Sequence, residues 1–213
     1  MTVPTTRMLL LGAVALFEPV NGYQIRRELI SWRVDEWAHV NPGSIYAGLA
    51  TLTRHGLLQR HDLVDGRRAV AVYELTEAGR AEFHRELVQA LEEVDLHDRV
   101  AFQAAFGMLP RLERGLAVAA LERRRTALAT QIELFVAGQD DPANGPPHAR
   151  RGWTLWLDLA RAEAAWLDET LRQITSGELR FAPDEDWDWV PPDDDPGWQM
   201  NVDRDKYRAM LGR

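Results

Sequence analysis

The sequence predicts a mainly α-helical fold with one small β-hairpin, and three observations predict it. Apolar residues recur at helical spacing through most of the 213 residues. Two short, partly β-branched runs flank the pair Asp65-Gly66, the strongest short-range hairpin signal. Residues that cap helices, Asn41 and Thr76, stand where apolar stripes begin.

A first helix is read over residues 8–19, an almost unbroken Leu, Ala, Val and Phe run that stops at Pro19. Asn21-Gly22 reads as a turn, and residues 23–31 as a second helix with Ile25, Leu29 and Ile30 expected on one side. A Trp-bearing connection covers residues 32–40. Asn41-Pro42-Gly43-Ser44 then opens a third helix, because Asn caps and Pro suits a first turn whose N–H groups lack helical partners. Ile45, Leu49 and Leu52 make its buried stripe, and Gly56 closes it. The hairpin pairs residues 57–63 with 69–75. Thr76 caps a fourth helix whose stripe is Phe83, Leu87, Leu91 and Val94, with Glu82, Arg85, Glu86 and Glu93 expected in water.

Beyond it the pattern stays helical: a short helix around Phe102 and Phe106, a long one over residues 112–137, a loop at 140–147, and a final aromatic-rich helix over residues 152–176. After Gly177 the acids, prolines and Trp187, Trp189 and Trp198 show no period, so residues 178–213 are expected to be an extended acidic tail. Its role stays open between docking on protein, which the Trp residues favour, screening of the DNA-binding face and plain flexibility. Three helices followed by a hairpin is the order of a winged helix-turn-helix. The expected organisation is therefore a winged helix-turn-helix DNA-binding domain at 1–80, a helical dimerisation domain at 81–177 and the tail at 178–213.

Four stretches carry a family resemblance: Gly22-Tyr23-Gln24-Ile25, Pro42-Gly43-Ser44-Ile45-Tyr46, the run from Leu52 to Leu58, and Tyr73-Glu74-Leu75-Thr76-Glu77-Ala78-Gly79. Together they resemble the PadR-family transcriptional regulators over about the first 80 residues. The resemblance implies a winged helix that reads operator DNA, a helical region that holds a homodimer, a repressor more readily than an activator, and a small aromatic effector. Nothing about the tail carries over.

The residue chemistry names candidates for each role. For DNA these are Asn41, Ser44, Tyr46, Ala47, Thr51 and Arg54 on the third helix, Arg67 and Arg68 at the hairpin tip, and Arg26 on the second helix. Small residues, including Gly48, let a helix backbone enter a major groove closely, and hydroxyls reach phosphate or base edges; packing against a neighbouring helix is the other reading of Ala47 and Gly48. Tyr46 either reaches the DNA backbone or closes the core. Paired Arg at a wing tip suits a narrow, negative groove. Dimerisation candidates are Leu87 and Leu91 on the fourth helix, and Trp156, Leu159, Trp166, Leu167 and Leu171 on the last helix, which carries more apolar girth than a lone surface helix exposes. Trp32, Trp37 and Trp153 are candidates to line an effector cavity, with core filling as the alternative. The run Arg123-Arg124-Arg125 reads as a solvated helix face.

Composition excludes much else. The chain holds no Cys and 25 basic against 33 acidic residues, a formal net charge of −8. Residues 1–90 balance ten Arg against ten acids, so the whole acid excess falls beyond them, and DNA binding requires a local Arg patch. No two of the six His stand at metal-ligand spacing on a helix, and no phosphate-cradling loop or nucleophile context occurs. The expectation is no enzyme, no metal and no cofactor. The apolar run at residues 8–17 is too short to span a bilayer and no cleavage-type sequence follows, so a cytoplasmic protein without membrane partners is expected. A winged-helix protein-interaction module that does not bind DNA is the alternative.

Overall fold

In the computed structural model the described residues are 5–138, 141, 143, 145–181, 190–195 and 197–213. The chain divides into two compact units, Met1–Leu87 with Asp188–Arg213, and Val88–Trp187. The fold is mainly helical with a small antiparallel sheet, as expected.

In the first unit, α1 (Thr5–Phe17) is buried from Met8 through Ala15. It shows no polar side because other elements of this unit cover it all round, including α2 (Gly22–Ser31), α4 (Ile45–Arg54), β3 (Arg68–Leu75) and α9 (Gly197–Met210). Between α1 and α2 lies β1 (Val20–Asn21), where the sequence suggested only a turn. It pairs antiparallel with β3, giving the order β1-β3-β2 with β2 at Leu58–Asp65. Two residues are too few for an alternating pattern to be read. The Glu18 carboxylate secures the junction: one oxygen accepts from the Leu75 backbone N–H at 2.7 Å and the other meets Arg80 at 2.5 Å.

The helix starts obey their caps. Asn21 and Gln24 form a reciprocal capping box at the start of α2. Of the three residues expected on one side of this helix, Ile25 and Leu29 are buried and Ile30 is exposed. Asn41 accepts from the Gly43 N–H at 2.8 Å, closing a 3₁₀ turn, Pro42–Ser44, that leads into α4. The connection before it holds one helical turn, α3 (Val34–Trp37). Ile45, Leu49 and Leu52 are the buried stripe of α4. β2 and β3 pair from Leu58↔Leu75 to Asp65↔Arg68, and Gly66 in the turn takes φ +62°, a conformation that glycine adopts without penalty. Thr76 caps α5 (Glu77–Glu92), accepting from the Gly79 N–H at 2.9 Å. Phe83, Leu87 and Leu91 are buried as expected. Glu86 is not in water: it is fully buried, its carboxylate held by Arg7 of α1, and burial pushes its pKa up.

The second unit is built on α6 (Val100–Gly107), α7 (Arg114–Gly138) and α8 (Pro147–Ser176), with α7 packed along α8. Arg124 departs from the solvated face expected for its run. It is 1% exposed, and its guanidinium donates to Glu163 Oε1 at 2.8 and 2.6 Å and to the Glu93 carbonyl. Its plane also lies over the Phe102 ring at 3.7 Å. Arg123 and Arg125 remain exposed and pair with Glu92 and Asp168.

Residues 197–210 form a helix where an extended tail was expected. Trp198 is 43% exposed; Trp187 and Trp189 lie outside the described residues. The helix carries two residues that become buried, Met200 and Tyr207, one period of seven apart. That is too sparse a stripe to announce itself between charged residues.

Candidate nucleic-acid interface

The residues proposed from sequence to meet DNA gather around α4 and the hairpin. Asn41, Ser44, Ala47 and Arg54 are exposed, and Thr51 is half-buried with its hydroxyl accepting from Arg54 Nη2 at 3.2 Å. Ser44 donates to the Asn41 carbonyl at 2.7 Å. Gly48 faces inward: a Cβ there would stand 2.4 Å from Leu10 Cδ1, so this glycine serves the packing of α4 on α1, while Ala47 stays in solvent. Tyr46 is 48% exposed, and its ring edge closes on Gly22, where a Cβ would come within 3.0 Å. The ring therefore packs at the start of α2 and leaves the core to Ile45 and Leu49.

Between α4, the start of α2 and β3 runs a groove of about 570 Å³ lined by Tyr23, Tyr46, Ala50, Arg60, Arg68 and Tyr73, among others. Tyr23 is 63% exposed. Neither Tyr23 nor Arg60 was among the sequence candidates. The signal for Arg60 was its hairpin parity, which sets it directly opposite Tyr73. Arg60 is tied to Asp62 at 2.7 Å, and this pairing raises its pKa further. Arg67 and Arg68 are exposed and make no ion pair among the described residues. Arg26 is half-buried on α2. Beside the tip, Asp65 is held by Lys206 of α9, whose pKa that contact raises. Exposed guanidinium groups, small residues and hydroxyls on one helix and its wing can bind a polyanion and read groove edges.

The dimerisation candidates divide by burial. Leu87, Leu91, Leu167 and Leu171 are taken up by the chain's own core, and Trp156 is half-buried with its ring edge-on to His97 at 4.7 Å. Leu159 is 40% and Trp166 42% exposed, and with Leu155 and Ala162, also exposed, they form a 4-3-4 spaced stripe along α8.

The three Trp named for an effector do not line a described cavity. Trp32 and Trp37 belong to the first unit, with Trp37 Nε1 donating to the Trp32 carbonyl at 2.8 Å, and Trp153 packs on Phe135 in the second. The second unit instead holds a cavity of about 290 Å³ lined by Arg99, Phe102, Gln103, Phe106, Glu163 and Trp166. Phe106 and Trp166 meet in an edge-on pair, centroids 4.8 Å apart. The sequence signal was the i, i+4 spacing of Phe102 and Phe106, which was read only as a helix stripe. Among the described residues no group of three or more His, Asp or Glu could hold a metal ion, and no helix is long and apolar enough to cross a membrane.

Residues 10–85 match the family described as Transcriptional regulator PadR-like family. No curated protein sequence matches the chain. Among solved structures, the chain is similar to Bacillus subtilis PadR in complex with operator DNA, at 17% identity and TM-score 0.35, over 78% of this chain and 97% of that one. It is also similar to the PadR-like transcriptional regulator BC1756 from Bacillus cereus, at 17% identity and TM-score 0.34, over 79% and 94%. A third similar structure is Bacillus subtilis PadR in complex with p-coumaric acid, at 18% identity and TM-score 0.31, over 79% and 99%.

Proposed function

With a PadR-like family domain at residues 10–85, we propose that this chain is a cytoplasmic transcriptional repressor that binds pseudo-palindromic duplex DNA as a homodimer. The observation that carries this reading is the convergence of α4 and the hairpin: Ser44, Ala47 and Arg54 are exposed beside Arg67 and Arg68, which are free of ion pairs among the described residues. The N-terminal half of α4 enters the major groove, and the wing Arg pair takes the flanking phosphates or minor groove. Arg26 adds a flanking phosphate contact, and Asn41 orients the helix start. Repression follows from occupancy, since a bound dimer excludes polymerase from the same duplex.

A single small module reads few base pairs, so two must bind about one helical turn apart, near 34 Å. The exposed α8 stripe at Leu155, Leu159 and Trp166 supports self-association through the helical region at 81–177. The aromatic cavity at Phe102, Phe106 and Trp166 supports a one-ring aromatic effector. To release DNA, such a ligand must bind the DNA-incompetent state more tightly than the competent one.

Fluorescence anisotropy on labelled DNA from immediately upstream of the chain's own gene tests the reading, with random DNA of equal length as control. Tenfold or greater preference for the upstream duplex is expected, with a salt slope that falls by about two in Arg67→Ala plus Arg68→Ala. Uniform failure across genomic fragments refutes it and favours the protein-interaction module. Leu159→Glu is expected to halve the mass seen by analytical ultracentrifugation; an unchanged mass removes the α8 stripe from the interface.

A further inference from the structure

The C-terminal helix α9 lies outside the family domain at residues 10–85, yet it and the residues that follow it are fastened by five contacts to the rest of the first unit. Tyr207, 3% exposed, accepts through its hydroxyl from Asn21 Nδ2 at 2.9 Å, and Asp203 accepts from Gln24 Nε2 at 2.7 Å. Asn21 and Gln24 are the two members of the α2 capping box, so α9 takes up donors that the box itself leaves over. Arg204 donates to the carbonyls of Leu16 and Phe17, at 3.2 and 3.3 Å, where α1 ends without helical N–H donors for them. Arg213 reaches Glu74 of β3 at 2.7 Å.

The fifth contact falls on the wing tip. Lys206, the sole lysine of the chain, binds the Asp65 carboxylate. Asp65 is the hairpin's closing residue, directly opposite Arg68. An acid and a guanidinium at opposed positions on antiparallel strands attract one another, but here the acid is occupied by Lys206, and Arg68 makes no ion pair among the described residues. An unneutralised Asp65 at this place would also repel phosphate.

We propose that Lys206 is a positioning residue for DNA binding: by occupying Asp65 it keeps the wing tip electropositive and leaves the Arg68 guanidinium for the duplex, which makes α9 a working part of the DNA-reading unit. This rests on the DNA-binding reading above. Lys206 acts through Asp65 and not by its own contact with phosphate, and that distinction decides the test.

The test uses full-length protein and anisotropy on the upstream and random duplexes, at several salt concentrations, with Lys206→Gln, Lys206→Arg, Asp65→Asn and the double variant Lys206→Gln plus Asp65→Asn. Lys206→Gln is expected to weaken binding to both duplexes by about five- to tenfold at low salt, in keeping with a lost phosphate contact. Lys206→Arg is expected to bind as the wild type. Asp65→Asn should bind at least as well as the wild type, and the double variant should return to within about twofold of it, because the acid to be neutralised is gone. Thermal midpoints within a few degrees of the wild type confirm that every variant is folded, as an exposed pair contributes little to stability. Wild-type binding with an unaffected Lys206→Gln overturns the inference, and so does a double variant as weak as Lys206→Gln, which would make Lys206 a phosphate contact itself. A wild type that binds no duplex overturns the DNA reading first, and the two failures are thereby told apart.

Discussion

Gly79→Ala is a one-methyl change with a large expected cost. Gly79 sits in the first turn of α5, and a Cβ there would stand 2.0 Å from the Leu57 carbonyl oxygen and 2.9 Å from its carbon. Both obstacles are backbone, so no side chain can swing aside. Carbon and oxygen rarely approach closer than about 3.3 Å, so the α4–β2 connection must move by more than about 1 Å. That carbonyl accepts from the Thr76 backbone N–H at 3.1 Å and shares the single hydrogen of the Thr76 hydroxyl, at 3.2 Å, with the Gly56 carbonyl at 2.7 Å, and the same hydroxyl oxygen caps Gly79 at 2.9 Å. Two hydrogen bonds at about 1 kcal/mol each and a cap at about 1 kcal/mol are put at risk, about 3 kcal/mol together. For a chain of this length that lowers the thermal midpoint by about 6–12 °C, read by circular dichroism at fixed protein concentration. Gly152→Ala is the control: no atom lies within 4 Å of its Cβ, and an exposed mid-helix glycine replaced by alanine gains about 0.5–1 kcal/mol. A Gly79→Ala midpoint within 2 °C of the wild type, by this conversion about 1 kcal/mol at most, would refute the packing argument.

Other substitutions test the buried charges. Arg124→Ala leaves Glu163 with Arg99 at 2.8 Å as its remaining partner, so the loss is expected at the low end of the range for a broken buried pair, about 3 kcal/mol; urea unfolding should show it, and a loss below about 1 kcal/mol would mean that the network is not load-carrying. Glu28 is buried in α2, and desolvation raises its pKa above the ordinary 4.5 against the opposing pull of Arg27. The native state therefore holds that proton more tightly than the unfolded chain, and the group's contribution to stability is present at acid pH and lost as pH rises through the raised value. Glu28→Gln should be no less stable than the wild type at pH 7 and should flatten the stability–pH curve above pH 4.5; an unchanged curve would assign the slope to other groups. Trp166→Ala removes one wall of the second unit's cavity and should abolish any binding of a one-ring aromatic probe seen by calorimetry, whereas unaltered affinity would move the proposed effector site elsewhere.

Local chemistry was readable in the sequence wherever a few neighbouring residues decide the outcome. The Asn41 and Thr76 caps, the Ile45, Leu49 and Leu52 stripe, and the hairpin around Gly66 needed no distant partner, and each element formed at the expected place. The same locality put Arg67, Arg68, Ser44 and Ala47 on exposed surface, since the strand and helix periods that bury their neighbours turn them outward.

Tertiary structure alone decided what depends on residues far apart in the chain. Glu86 and Arg124 carry charges that periodicity assigns to water, and they are buried because Arg7 lies 79 positions from one and Glu163 39 positions from the other. Gly48 looks like a groove-facing small residue until Leu10 is placed against it. β1 exists only because β3 offers it an edge, and α9 only because Asn21, Gln24 and Asp65 supply hydrogen-bond and charge partners to a helix with two buried side chains. A repeating pattern reports which face of an element is apolar; whether a particular charge, glycine or short segment finds a partner is settled by long-range packing, where desolvation and its compensation are met together.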